Sequence, residues 1–416
     1  MSAMSGCLNL SKHNFVGFFL SLYLGLSPIY WCFNIPIDYI FYFKFILLVL
    51  SALLILFLAL RKSCFFFPSG VFGMPGLIIL IFSMSPGLFQ SGPAEVMRRT
   101  LDVLYGFIFL WSFYLYVRCQ GDICRVFFYA SLIIVFFSSI VVISKFFPDI
   151  NYGSPYLQGF YLSDTGFGGL RTGWSVGVSF FIPFCLMISF SSGNRNSIKF
   201  FILMLLFFLP VFSSQIVVGG RSGIVSSFIM ILIWLLTYKK HSIFWIILFL
   251  FLFLFFIDIQ WVISHLRLDR LEYGEGLNAL NNFSANRILI NYEAIQMISD
   301  RIFLGYGFGE INGAFLRHGD EVHNLWLRML LQSGIISFFV LSFIFGNYFL
   351  TGIKLYRKKL VDYLDRRFRY LGFAFLSAIF SGFILSMFEP NVILGTFQTS
   401  AAWWASVGAI KGLNDM

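Results

Sequence analysis

Charged residues are scarce in this 416-residue chain: Asp, Glu, Lys and Arg make up 12% of it, about half the share found in ordinary soluble domains. Hydrophobic residues reach 59%, and Phe alone contributes 57 residues, which is more apolar material than one water-facing core can bury. These proportions exclude a soluble globular protein. They predict one all-α integral membrane domain over residues 1–416, with the lipid bilayer as the solvent for most of its surface.

Cysteine is also sparse. The six cysteines are scattered, with no CxxC pair and no histidine at metal-ligand spacing. This pattern favours isolated packing residues over a disulfide framework or a zinc site. We therefore expect neither a metal nor another cofactor.

Long apolar runs bounded by charged or turn residues predict a polytopic protein with about 12 transmembrane helices. The third run contains Pro68, Pro75 and Pro86, so a broken or re-entrant segment is the alternative to a straight helix there. The predicted spans lie near residues 14–34, 39–60, 70–89, 103–117, 126–147, 173–192, 198–218, 223–237, 242–263, 325–350, 370–388 and 392–410.

The positive charges predict the orientation, because Lys and Arg near short loops remain on the cytoplasmic side. With both termini inside, 17 of the 29 basic residues face the cytoplasm. The net charge of +10 then reflects topology and anionic lipid headgroups, and no nucleic-acid partner is expected. The basic residues of the outer loops are all arginines, namely Arg98, Arg99, Arg171, Arg221, Arg267, Arg270, Arg287, Arg301 and Arg317.

An all-arginine outer face suits phosphate binding, because the rigid guanidinium fork matches phosphate oxygens better than an ammonium group does. The alternative is that these arginines form local salt bridges with the carboxylates of the same loops. The candidate partners are Asp269, Glu272, Glu293, Asp300 and Glu321.

The longest stretch outside the predicted helices covers residues 264–322, on the outer (periplasmic) face between the ninth and tenth spans. It is too long for a plain connector, so the chemistry is expected there. Its middle predicts an amphipathic helix in which Ile288, Tyr292 and Ile295 recur at helical spacing and Arg287 takes a more polar position. The GxGxG segment that follows has no preceding strand, so it predicts a backbone turn against the membrane bundle and not a nucleotide site.

Polar residues mark the start of the tenth span, where Glu321, His323, Asn324 and Arg328 lie close together in sequence. Asn324 and Arg328 are four residues apart and therefore share a helix face. An ionisable residue at the mouth of a membrane helix is a functional candidate, although a snorkelling arginine beside an interfacial histidine is the structural alternative.

Two glycine-rich turns bring further arginines to the outer surface. Arg221 lies in the sequence GGRSG and Arg171 in GGLRTG. Such turns allow backbone amides and a guanidinium to approach an anion closely, although GGRSG also fits a simple hairpin between helices. Together with Arg287 and His323, they suit a site for a membrane-held diphosphate.

These segments resemble the O-antigen ligase and polymerase superfamily of bacterial envelope glycosyltransferases. The resemblance lies in the GRSG turn, in the segment DRIFLGYGFGE and in VHNLWLRMLLQSGII at the start of the tenth span, and it covers about residues 171–336. It implies an enzyme of the bacterial inner membrane that acts from the periplasmic face, without a metal, on glycans carried by undecaprenyl diphosphate.

The resemblance also implies residue roles. Arg221 and Arg287 match arginines that hold the diphosphate, and His323 matches a histidine at the reaction centre. Arg171, Asn324, Arg328 and Glu321 are the accompanying candidates for binding the substrate. A chain-length regulator protein is a further partner that polymerases of this type imply.

Polymerase is the favoured activity, with O-antigen ligase as the alternative. The ligase pattern has His-Asn, nine residues and then Gly-x-x followed by Gly, Thr or Tyr. Gly334 lies at the right distance here, but Ser337 occupies the last place. A lipid-linked oligosaccharide flippase is the rival from another class, although transporters usually carry more ionisable residues within their helices.

Overall fold

The computed structural model describes residues 14–28, six positions between 46 and 57, and residues 67–119, 121–146, 168–193, 197–237, 287–308, 322–357, 366–389, 392–394 and 397–416. Throughout these residues the regular elements are helices and no strand occurs. The predicted all-α class is therefore confirmed for this part of the chain. The span expected near 242–263 lies outside the described residues, as do most of the span near 39–60 and most of the 264–322 loop.

The helices are numbered here in chain order. They are α1 (Asn14–Leu26), α2 (Met74–Phe89), α3 (Pro93–Arg118), α4 (Ile123–Phe146), α5 (Gly168–Ser179), α6 (Ile182–Gly193), α7 (Ser197–Leu203), α8 (Leu209–Val217), α9 (Arg221–Thr237), α10 (Arg287–Asp300), α11 (Leu325–Arg357), α12 (Arg366–Ser386) and α13 (Phe397–Asn414). A short 3₁₀ turn, Gly70–Phe72, precedes α2, and a π-helical turn, Met204–Phe208, joins α7 to α8.

Among the described residues, five stretches are long and apolar enough to cross a membrane, and four shorter apolar helices accompany them. This supports a membrane protein. The total of 12 crossings and the sidedness remain predictions. The five long stretches are Pro93–Arg118, Ile123–Ile143, Gly173–Ser191, Lys199–Val217 and Leu325–Arg357.

Helix α3 begins ten residues earlier than the predicted span at 103–117. Pro93 occupies its first turn, where the missing N–H is no loss, and Glu95 adds negative charge at the positive end of the helix. Glu95 also pairs with Arg99 at 2.8 Å, and Arg99 is only 4% exposed. The expectation that Arg98 and Arg99 belong to an outer loop was therefore wrong, because both lie on this helix.

The proline-rich third run forms a continuous helix, α2, of 16 residues. Its irregular residues gather at the start, where Pro75 lies in the first turn and a Cβ on Gly73 would fall 2.0 Å from the carbonyl oxygen of Pro68. Pro86 lies within the helix without ending it. At 1.5 Å per residue α2 is about 24 Å long, somewhat short of the roughly 30 Å hydrocarbon core.

The centre of the bundle is α13, which packs along α3. Small residues allow the two backbones to approach closely. A Cβ on Gly408 would lie 2.1 Å from the carbonyl oxygen of Leu110, and one on Gly106 would lie 2.3 Å from the ring of Trp404. Trp403 and Trp404 are both buried, so large aromatic rings fill the space that the glycines leave.

Helix α11 is broken at Gly334, whose φ of 80° and ψ of −176° are accessible essentially only to glycine. In an unbroken helix the N–H of Ile335 would donate to the carbonyl of Leu331. Here it donates to the carbonyl of Ile302 at 2.8 Å instead, and the Leu331 carbonyl accepts from the N–H of Tyr306 at 2.8 Å. Residues 301–308, the 301–308 turn, thus replace the helix's own hydrogen-bond partners.

Further contacts fix the 301–308 turn. Gly307 donates its N–H to the carbonyl of Gln332 at 3.0 Å, and Phe308 donates to the hydroxyl of Ser91 at 2.6 Å. The glycine segment is therefore a backbone turn packed against the bundle, as the sequence predicted. Its glycines are required by geometry, because Gly305 and Gly307 have positive φ angles of 66° and 93°.

The break divides α11 into two parts. The part from Ile335 to Arg357 is 23 residues long, about 34 Å, which is enough by itself to cross the hydrocarbon core. The preceding part, Leu325–Ser333, lies at one end of this stretch together with the 301–308 turn.

We expect Gly334→Ala to destabilise the protein by about 2 kcal/mol or more, because the backbone conformation is strained for any Cβ and this Cβ would lie 2.1 Å from the carbonyl oxygen of Phe303. Thermal unfolding in detergent measures the effect. Gly346→Ala is the matched control, since it lies on the same helix with no atom within 4 Å of its Cβ position. Equal melting temperatures for the two variants would contradict the role of the break.

Candidate functional site

Two residues from distant parts of the chain meet at the carboxylate of a third. Glu389 Oε1 lies 3.0 Å from Arg287 Nη1, and Glu389 Oε2 lies 3.6 Å from His323 Nδ1. The same Arg287 Nη1 donates to the carbonyl oxygen of Phe388 at 3.0 Å. We call Arg287, His323 and Glu389 the Glu389 cluster.

Glu389 is placed by the end of α12. Glu389 lies three residues beyond Ser386, the last residue of α12, and its N–H donates to the carbonyl of Leu385 at 2.9 Å, which continues the hydrogen-bond pattern of the helix. Proline follows at position 390, and the residue before a proline is disfavoured in the helical conformation, so the chain leaves the helix there. Glu389 is 7% exposed, and a carboxylate this buried requires cationic or hydrogen-bonding partners.

Arg287 is the first residue of α10, and the packing of α10 on α11 directs it towards α12. Ile290, Ala294 and Ile298 form the buried face of α10, and they pack with Val322 and Leu331. Both described contacts of Arg287 use Nη1, and its side chain is 27% exposed. The rest of the guanidinium can therefore receive an anion.

His323 immediately precedes the N-cap of α11. The Oδ1 atom of Asn324 accepts hydrogen bonds from the N–H groups of Trp326 at 2.9 Å and Leu327 at 3.1 Å, which is the geometry of a helix N-cap. The indole Nε1 of Trp326 donates to the hydroxyl of Ser386 at 2.9 Å. These bonds tie the start of α11 to the end of α12 and so hold His323 next to Glu389.

The imidazole of His323 has one buried nitrogen. Nδ1 is inaccessible to solvent and faces Glu389 Oε2, whereas the side chain as a whole is 31% exposed. At 3.6 Å the distance between the two atoms is longer than a hydrogen bond. The Nε2 edge is therefore the one that can meet a substrate, with a carboxylate behind the ring to stabilise an imidazolium.

Helices α9 and α12 run antiparallel. The hydroxyls of Ser226 and Ser381 lie 2.6 Å apart, and the rings of Trp234 and Phe373 are 4.8 Å apart. From the first pair to the second, the residue number rises by eight on α9 and falls by eight on α12. This register places Arg221, the first residue of α9, level with residue 386 of α12.

Arg221 therefore lies at the same end of the bundle as the Glu389 cluster, about one turn short of Glu389 along the axis and roughly one interhelical spacing of 8–10 Å to the side. Its glycine turn packs on α5: Ser175 donates to the carbonyl of Gly220 at 2.8 Å, and a Cβ on Gly223 would lie 2.1 Å from the Ser175 hydroxyl. Contact between Arg221 and a substrate stays a prediction.

The other predicted site residues are placed differently. Arg328 is 4% exposed, and its Nε donates to Gln332 Oε1 at 3.2 Å, on the side of α11 that faces the 301–308 turn. Asn324 has a structural role as the N-cap. Arg171 lies on α5 with its side chain outside the described residues, and Glu321 is outside them altogether.

An apolar cleft of about 510 Å³ lies beside the Glu389 cluster, between α11 and α12 with Trp403 of α13 in its wall. Two of its lining residues connect it to the cluster: Trp326 is three residues from His323, and Met387 is two residues from Glu389. The remaining lining residues are Phe338, Ser342, Phe345, Gly346, Phe349, Ile379, Phe380, Phe383 and Ile393.

Glu389 was not among the site residues predicted from the sequence, although its position in the chain carries a signal. Glu389 is the one acidic residue between Asp365 and Asp415, and it lies in the short connection between two predicted apolar spans. An ionisable residue in such a setting is a functional candidate by the same reasoning that identified His323.

Comparison with known proteins assigns no function to the chain, so the function is inferred from this geometry and from the sequence resemblance. No family model matches the chain, and no curated protein matches it significantly. Within the described ranges, no three side chains of the His, Cys, Asp and Glu types come together as a metal-binding group.

A role of Asn324 as the N-cap and a role in substrate binding predict different effects of mutation. Asn324→Ala should cost about 1 kcal/mol of stability because two N–H groups of α11 lose their acceptor, whereas Asn324→Asp should keep the cap and the stability. Thermal unfolding of both variants measures this. A stable Ala variant that has lost activity would instead favour direct contact with the substrate.

Proposed function

We propose that this protein is a membrane glycosyltransferase that polymerises undecaprenyl-diphosphate-linked O-antigen repeat units on the periplasmic face of the bacterial inner membrane. The observation that carries the proposal is the Glu389 cluster beside the apolar cleft. It combines a cation for a diphosphate, a histidine backed by a carboxylate and an apolar surface for a lipid chain. The lipid-linked glycan and the bilayer are the partners, with a chain-length regulator as a further one.

The donor is held by its two chemically different ends. The polyisoprenoid chain lies along the apolar cleft, where burial of its hydrocarbon against Trp, Phe and Met side chains is favourable. The diphosphate lies at the mouth of the cleft beside Arg287, with Arg221 approaching from α9. Guanidinium groups suit this role because they form paired hydrogen bonds to phosphate oxygens.

In the transfer step, the bond between the anomeric carbon and the diphosphate oxygen breaks, and the electron pair leaves with the diphosphate. A hydroxyl oxygen of the acceptor sugar forms the new bond to that carbon, and its proton passes to Nε2 of His323. Glu389 stabilises the imidazolium that forms. Arg287 and Arg221 stabilise the negative charge that develops on the leaving group, a role that preorganised cations perform in other active sites.

O-antigen ligase is the alternative within the same class, because the donor and the outer-face chemistry are shared and only the acceptor differs. The glycan ladder of a knockout strain separates the two. Loss of a polymerase leaves lipopolysaccharide capped by a single repeat unit, whereas loss of a ligase leaves bare core with glycan accumulating on its lipid carrier. A flippase would accumulate or move substrate in proteoliposomes without changing glycan length.

In the complemented knockout, we expect Arg287→Ala to abolish long glycan chains at normal protein level, through a rate loss of about 10²–10³-fold. Arg287→Lys should restore only part of the chain length, because an ammonium lacks the planar fork. Arg221→Ala and Arg221→Lys should behave in the same way. Arg98→Ala is the matched control, since Arg98 is exposed and pairs with Glu95 at 3.5 Å, outside the Glu389 cluster. Normal ladders in either of the first Ala variants would refute the diphosphate role of that arginine.

Glu389→Gln should lower the transfer rate on the order of 10²-fold or more, because the amide cannot stabilise the His323 imidazolium by charge. The rate of chain extension in proteoliposomes measures this loss. Glu95→Gln is the control, because it removes a similar ion pair, to Arg99, outside the Glu389 cluster. If Glu389→Gln and Glu95→Gln lowered the rate of chain extension by the same factor, the result would contradict a specific role of the Glu389 cluster.

A further inference from the structure

Helix α10 has apolar residues on two faces, and the structure buries only one of them. The face on α11 consists of Ile290, Ala294 and Ile298. The stripe predicted from the sequence lies on the other face, where the described side chains of Tyr292 and Ile295 are 58% and 54% exposed. An apolar face that points away from the protein requires either lipid or a protein partner.

This exposed stripe continues into the 301–308 turn, where Phe303 and Leu304 are 67% and 61% exposed. The carbonyl of Leu304 accepts a hydrogen bond from Gln90 Nε2 at 3.1 Å. Gln90 follows Phe89, which ends α2 and is 88% exposed. The exposed apolar surface of α10 and the turn is thereby joined to the end of α2.

Helix α2 exposes further apolar side chains along its length, with Ile78 at 47%, Ile79 at 46% and Phe82 at 71%. On an apolar helix of a membrane protein, such side chains face acyl chains. The surface thus runs from the lipid-facing side of α2, over Phe89 and the turn, to α10.

The depth of α10 fits the membrane boundary. Helix α10 packs on the part of α11 that precedes Gly334, at the end of the stretch that crosses the hydrocarbon core. Tyr292 presents an amphipathic ring of the kind enriched at the headgroup level. Arg287 and Arg301 flank the helix, where their positive charges can meet lipid phosphates.

We infer that α10 and residues 302–304 lie in the interface of the outer leaflet, with Tyr292, Ile295 and Phe303 in contact with bilayer lipid. The partner is the lipid surface, namely acyl chains below and anionic headgroups beside the flanking arginines. This arrangement also places Arg287 at the depth of the lipid phosphate groups. That the diphosphate of a lipid-linked donor would lie at the same depth rests on the proposed function.

Photocrosslinking in the full-length protein tests this contact. Benzoylphenylalanine replaces Tyr292 or Phe303, which are exposed aromatic positions, so the change is mild. The protein is reconstituted in vesicles of phosphatidylethanolamine and phosphatidylglycerol without donor or acceptor, irradiated and analysed by mass spectrometry. Phe82 is the lipid-facing reference position, and Asp300 is the exposed polar position on the edge of the α10 stripe.

We expect lipid adducts at positions 292 and 303 in yields similar to that at 82 and several-fold above that at 300. Protein dimers in place of lipid adducts would overturn the inference in favour of a second copy of the chain. Yields at 292 and 303 no higher than at 300 would overturn it as well. The assay needs no catalysis, so it separates this inference from the proposed function. Lipid adducts from a protein without transferase activity would contradict the proposed function alone. An active protein that gives no lipid adducts would contradict this inference alone.

Discussion

The arrangement of the site depends on one buried carboxylate. Glu389 is almost inaccessible to solvent, so its charge requires partners, and Arg287 and His323 supply them from segments about 100 and 66 residues earlier in the chain. Meeting this requirement brings the ends of α10, α11 and α12 together. The same carboxylate faces Nδ1 of His323 at 3.6 Å, and in the proposed mechanism the proton therefore passes to Nε2.

The break in α11 makes this assembly possible. A helix of 33 residues would be about 50 Å long if straight, far more than a membrane needs. The unusual backbone of Gly334 interrupts it, and the 301–308 turn satisfies the backbone groups that the interruption leaves without helical partners. Polar backbone at this depth is tolerated because protein, and not lipid, provides its hydrogen bonds.

Lipid enters the proposed mechanism in two places. The lipid chain of the donor is proposed to lie in the apolar cleft between α11 and α12, and the exposed face of α10 is inferred to continue the membrane-facing surface of α2. A donor anchored by a hydrocarbon chain and an arginine carried on an interfacial helix would be brought to the same depth by the same bilayer. The reaction then requires little movement of the donor out of the membrane.

The sequence alone determined the membrane class, the helical architecture and most helix positions, because long apolar runs have few alternatives in lipid. It also predicted Arg287 and His323 as site residues, through the all-arginine outer face, the polar residues at the start of the tenth span and the family resemblance. It could not identify Glu389 as their common partner, and it could not show which face of α10 is buried, since Ile288 and Ile290 are equally apolar. Those points were decided only by tertiary packing, because burial and ion pairing depend on which distant helix end comes next to each residue.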